Sequence, residues 1–237
     1  MIFENVPWFV WVIVFFFSIS LATFLLTSIA YMLEKRPIKP YTENVNPELS
    51  STRLADRFCN MFEKNRFELH QIVKDNRGGI YQILYQFYRS ANGDCIAIVA
   101  NGTLMKISLD ICLIATRFDD GTWIKTVSHP NGSEQDLTGM VREAVYEKLS
   151  PQEFLDKHDD RIERESKSKT VLPYDKDEPM IDYCSDLLRR VDSLVSKGLA
   201  KFRDEERTVW SYTFLGAVRL ASRMCLTAMR RNYVKDR

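Results

Sequence analysis

Residues 81–127 read YQILYQFYRSANGDCIAIVANGTLMKISLDICLIATRFDDGTWIKTV. Asn92-Gly93, Asn101-Gly102 and Asp120-Gly121 divide this stretch, and Asn131-Gly132 follows it. These dipeptides tolerate the positive φ that tight hairpin turns require. The runs between them are rich in β-branched and aromatic residues. Leu104, Lys106, Ser108 and Asp110 alternate with Met105, Ile107, Leu109 and Ile111, the two-residue period of a half-buried strand. The pattern predicts an antiparallel meander of about four or five strands, beginning at Phe67–Val73. Tyr81, Tyr85, Phe87 and Tyr88 then read as cross-strand and core packing rather than a ligand-lining aromatic strip.

Helical periods flank the meander. Upstream, Asn46-Pro47-Glu48 has the form of a helix start, and Leu54, Phe58, Met61 and Phe62 recur on one face; Asn65 marks the stop. Downstream, Leu137–Leu149 has helical spacing through Met140, Val141, Ala144 and Val145. Ser150-Pro-Gln-Glu153 is a capping box with proline at the first helical position, opening a helix to about Ser166. Residues 166–179 read as an exposed loop. Met180–Phe202 reads as one helix with Ile181, Cys184, Leu187, Leu188, Val191, Leu194 and Val195 inward. The fold class is therefore α+β.

Residues 5–33 carry no charge, whereas ~20 apolar residues in a helix span a bilayer. A cleaved signal peptide would show a basic start and an apolar core of ~7–15 residues; here the start carries Glu4. The expectation is a single transmembrane helix, with the lipid bilayer as its partner. Lys35, Arg36 and Lys39 follow it, so the positive-inside rule puts the N-terminus outside and the remaining chain in the cytoplasm. Trp8 and Trp11 suit one interface and Tyr31 the other. The expected organisation is an anchor at 1–33, a Pro-bearing juxtamembrane linker at 34–46, a cytoplasmic α+β domain at 47–207, and a basic amphipathic helix and tail at 208–237.

That last segment is the most unusual. TVWSYTFLGAV (208–218) is too short to span, and from Arg219 onward six basic residues stand against one acid. On a helix Trp210, Phe214, Ala217, Ala221 and Ala228 cluster, with Arg219, Ser222, Arg223 and Arg230 opposite. Arg219, Arg223, Arg230 and Arg231 are the candidate contacts to an anionic membrane surface. The first reading of the segment is nevertheless a final helix packed on the sheet with a solvated basic tail, and membrane contact is the second.

Charged residues make up 27% of the chain, the formal net charge is +1 and the mean hydropathy is −0.25. This balance, without an aromatic-basic stacking platform, argues against a charge-driven nucleic-acid binder. Five cysteines lack a C-x-x-C pair and read as unpaired thiols of a reducing compartment. The sequons at Asn101 and Asn131 fall on Asn-Gly pairs. His158-Asp159-Asp160 has metal-binding residue types but no second histidine at ligand spacing, so His158 reads as a surface or boundary residue. Asp119-Asp120-Gly121 would open a calcium loop only if oxygen ligands followed; Trp123 and Lys125 stand there. Asn76-Arg77-Gly78-Gly79 lacks the lysine of a phosphate loop, and no Gly-x-Ser-x-Gly elbow is present.

No catalytic residue, cofactor-binding residue or metal ligand is assigned, and no cofactor is expected. The first functional reading is a membrane-anchored, cytoplasm-facing binding or interaction module without catalysis. The alternative is a membrane-tethered, hydrolase-like enzyme, which requires a pocket joining polar residues such as His158, His70 or Asp110. A sensory role across the bilayer is weakened by the short outer segment.

Overall fold

The computed structural model describes residues 7–38, 43–44, 53–77, 81–104, 107–129 and 136–234. In chain order the first elements are α1 (Trp8–Leu33), β1 (Arg36–Pro37), β2 (Glu43–Asn44) and α2 (Arg53–Lys64). Then come β3 (Phe67–Arg77), β4 (Tyr81–Ser90), β5 (Ile96–Leu104), β6 (Ile107–Phe118), β7 (Trp123–Val127) and β8 (Val141–Val145). The remainder is α3 (Pro151–Ser166), β9 (Val171–Leu172), α4 (Pro179–Ser196), β10 (Ala200–Phe202), β11 (Val209–Tyr212) and α5 (Phe214–Val234). The chain is α+β, with five helices among the described residues and a seven-strand, antiparallel-rich sheet in the order β2-β3-β4-β5-β6-β7-β8; β9 pairs the end of β6. Contacts group it into two compact units, Pro37–Arg190 and Met1–Arg36 with Val191–Arg237.

In the larger unit, β3 to β7 form the expected antiparallel meander. Alternation sends successive side chains to opposite faces. On one face Tyr88, Ala97, Val99, Cys112 and Ile114 meet Phe58, Met61 and Phe62 of α2 and Phe154 and Leu155 of α3. The Phe62 ring centre lies 4.9 Å from that of Phe67 and 5.5 Å from that of Tyr88, both pairs tilted, and Ala55, not Leu54, completes the buried stripe of α2. On the other face Phe87, Ile96, Ile98 and Leu113 pack with Tyr174 and with Met180 and Tyr183 of α4. α3 begins as its sequence dictates: Ser150 Oγ accepts from Glu153 N, and the Glu153 carboxylate accepts from Ser150 N.

Several sequence expectations need correction. Asn101-Gly102 is no turn but lies inside β5, paired with Leu84-Ile83 and with Asp110-Leu109; the β5–β6 connection falls beyond Leu104. Leu137–Leu149 is not a helix: Val141–Val145 forms β8, parallel to β7 from Trp123↔Val141 to Val127↔Val145. Its spacing suits either element, and the long-range ladder decides. The helix from Met180 stops at Ser196, and Ala200–Phe202 is a strand, because Gly198 takes φ +67° and ends the helix. The 166–179 loop contains β9 and a buried Tyr174, whose carbonyl accepts from Arg89 Nε and Nη2 at 3.1 and 3.0 Å. The expected helix start at Asn46-Pro47 and the turn at Asn131-Gly132 lie outside the described residues.

The smaller unit holds a three-stranded sheet, β1-β11-β10. Asp204 closes its hairpin by accepting from Thr208 N and Val209 N, each at 3.0 Å. α1 and α5 pack together, and α5 also packs on β11. Phe9–Leu33 contains an 18-residue window of mean hydropathy 2.5 and is long and apolar enough to cross a membrane by length and composition. Phe15, Phe16 and Phe17 are 61–69% exposed.

Candidate functional site

The smaller unit builds a collar around the end of α1. The Arg36 guanidinium lies 5.8, 5.5 and 5.2 Å from the ring centres of Tyr31, Trp210 and Tyr212, within cation–π range. It also pairs with Glu34 at 2.5 Å. Arg203 Nη2 donates to the Met32 carbonyl at 3.1 Å and its Nε to Ser211 Oγ at 2.6 Å. One of the last carbonyls of α1, lacking an intrahelical donor, thus finds one in the sheet. Trp210 and Tyr212 reach Arg36 because both stand on the same face of β11. The sequence reading placed Trp210 on a helix; the missed signal is the alternation Val209, Trp210, Ser211, Tyr212.

α5 leaves this sheet through Thr213, whose Oγ1 accepts from Gly216 N at 3.2 Å as an N-cap. It buries Gly216, Ala217, Leu220 and Ala221. Phe214, Leu215, Arg219, Arg223, Met224, Cys225 and Leu226 are exposed, and Met224 Sδ accepts from Tyr31 Oη at 3.0 Å. Apolar side chains and arginines therefore share the outward surface of α5. Arg230 and Arg231 lie within α5, but their side chains are outside the described residues.

The polar motifs have structural places. His158 is not a boundary residue but fully buried. Thr116 Oγ1 sits 3.0 Å from its Nε2 and Thr126 Oγ1 2.8 Å from its Nδ1. Burial, reinforced by the nearby Arg161 cation, pushes its pKa down to about 3. Both ring nitrogens are engaged, while Asp159 and Asp160 are exposed; the three do not converge on an ion. Asp120 holds its own turn: Oδ1 accepts from Thr122 N at 2.9 Å and from Thr122 Oγ1 at 2.6 Å. With Lys169 2.9 Å from its other oxygen, these hydrogen bonds lower its pKa to about 2. Asn76-Arg77 ends β3, and Gly78-Gly79 lies outside the described residues.

Beneath α4 are buried charges that the sequence reading assigned to no site. Arg190 Nε lies 3.2 Å from Asp136 Oδ1. Burial works to raise the Asp136 pKa, but Arg190, Thr138 and the Val141 N–H outweigh it and hold it below the usual carboxylate range. Arg117 pairs with Asp182 at 2.6 Å and Asp186 at 3.3 Å, and lies 4.5 Å from the Tyr174 ring centre. For Asp186 burial wins and the pKa rises. These pairs tie α4 and the Tyr174 loop to β6 and the β7–β8 connection.

A cavity of about 240 Å³ opens on the α4 face, floored by Phe87, Ile96, Met180 and Cys184. His70, Gln71, Asp177 and Glu178 also line it. Asp110 and His158 belong to the opposite face. Asp110 stands six residues from Thr116 along β6, about 20 Å in an extended strand, so His70, His158 and Asp110 are not brought together. Compared with protein-family models, curated proteins and solved structures, the chain matches none.

Proposed function

We propose that this chain is a single-pass, membrane-anchored binding module, with α1 in the bilayer and the larger unit on the cytoplasmic side. The observation that carries the reading is the collar: an apolar helix with exposed phenylalanines ends in an aromatic-arginine cluster and packs on a second helix that shows apolar and basic side chains together. Interfacial helices have this composition, and aromatic and basic anchors gather at bilayer surfaces. The flanking Lys35, Arg36 and Lys39 support the cytoplasmic side. In this reading α5 lies on the anionic leaflet through Leu215 and Leu226, flanked by Arg219 and Arg223. Each arginine contributes ~1 kcal/mol near such a surface, so the two change the docked population by roughly 30-fold. The alternative of a hydrolase-like enzyme gains no support from His158, His70 and Asp110, which stand apart.

Cys225 provides the test, being the exposed thiol beside Leu226. The full chain is placed in nanodiscs with an environment-sensitive fluorophore on Cys225. With anionic lipid the emission shifts to the blue and is quenched by lipid-borne nitroxides; Arg219→Glu with Arg223→Glu reverses both changes. A fluorophore that reads water equally in anionic and zwitterionic bilayers would remove α5 from the membrane surface.

A further inference from the structure

In β3, Leu69 pairs with Tyr88 and Gln71 with Phe87, which leaves His70 as an extra residue in a β-bulge. A bulge sets two residues against one and re-aims a side chain. Here it brings two consecutive polar residues, His70 and Gln71, to the cavity wall beside Phe87. The wall opposite is the start of α4, where Asp177 and Glu178 precede Pro179.

Size, lining and charge limit what fits. An apolar cavity of ~150 Å³ holds a benzene ring, so about 240 Å³ admits one ring with a short chain. The floor is apolar and accepts the ring. The lining contains two carboxylates and no lysine or arginine. A helix start ordinarily attracts anions through free N–H groups, but this one has few to offer. Asp175 Oδ1 accepts from Asp177 N and Glu178 N at 2.8 and 2.9 Å, and Pro179 has no N–H. The charge balance of the rim therefore selects a cation.

We propose that this cavity binds a small organic cation, with a ring-sized apolar body on Phe87, Ile96 and Met180 and an ammonium group held by Asp177 and Glu178. His70 and Gln71, brought in by the bulge, provide the polar contacts on the other side and fix the orientation of the ring. The site lies wholly within Pro37–Arg190 and does not depend on the membrane reading.

The test uses the full chain in nanodiscs with methyl-labelled methionine. Met180 reports the cavity, and Met224, in the other unit, controls for partition of the compound into lipid. Phenethylammonium, phenylacetate and 2-phenylethanol are titrated in parallel. The expected result is a saturable shift of Met180 by phenethylammonium, with phenylacetate weaker by roughly tenfold or more, because like charges repel. Asp177→Asn with Glu178→Gln, both exposed positions, brings the three compounds to similar affinity with an unchanged circular dichroism spectrum. Met180→Trp fills the cavity and abolishes binding of all three, read from protection of the Cys184 thiol; if that variant fails to fold, the charge variant decides. Absence of a saturable shift, or phenylacetate binding as tightly as phenethylammonium, overturns the proposal.

Discussion

At the scale of single residues, His158 has the largest thermodynamic consequence. Its imidazole is neutral in the folded chain, with a pKa near 3, against about 6.5 when unfolded. Below about pH 6.5 the unfolded chain takes up a proton that the folded chain refuses until about pH 3, so folding weakens as pH falls through that window. Each pH unit costs up to ~1.4 kcal/mol there. Asp159, whose carboxyl partial burial pushes up to about 6, acts in the opposite sense over the same window. The test is therefore a comparison: between pH 7 and pH 4 the urea midpoint of the full chain should fall relative to that of His158→Gln, and equal slopes would overturn the role of His158. His158 was misplaced by sequence reading for a clear reason. Its helical neighbours from Asp156 to Arg164 are mostly charged, while its two partners stand 42 and 32 residues away. Periodicity sees the first fact and not the second. His70 was named as a pocket residue, but its place at the cavity could not be read, since a bulge is a property of two strands and leaves no mark in one.

Among elements, α5 approaches the backbone of Leu199, just before β10, very closely. A Cβ on Gly216 would lie 1.9 Å from the Leu199 carbonyl oxygen and 2.8 Å from its carbon, and backbone cannot rotate out of the way. Leu199 O already accepts from Thr213 N at 3.0 Å. Gly216→Ala should therefore cost about 3 kcal/mol or more in the smaller unit, although alanine favours helices by ~1 kcal/mol elsewhere. Hydrogen exchange at the β10 and β11 amides would measure it; unchanged protection would mean that the two segments separate without cost. The capped start of α3 and the meander were legible because caps and alternation are local. The same locality misled at β8, where a run with helical spacing is held by a parallel ladder to β7, and at Asn101-Gly102, where a turn dipeptide is carried inside a paired strand. Gly198 was the overlooked stop signal between α4 and β10.

For the whole molecule, orientation is the decisive quantity. A reporter fused after Arg237 should be active only in its cytoplasmic form; activity of an exported reporter would invert the topology. The apolar run and its basic flank were plain in the sequence, and so was the mixture of arginines and apolar residues near the C-terminal end. That the two ends belong to one unit was not, because spacing along a chain carries no trace of contacts between residues 36 and 210. This grouping has a consequence for the order of synthesis. α1 leaves the ribosome before any other described element, and the strands and helix that embrace its end are the last of them to emerge. Throughout translation of residues 37–190 the Met32 carbonyl awaits Arg203, and the Arg36 guanidinium, already beside Glu34 and Tyr31, awaits Trp210 and Tyr212. The collar can therefore close only after every residue of the larger unit has been made.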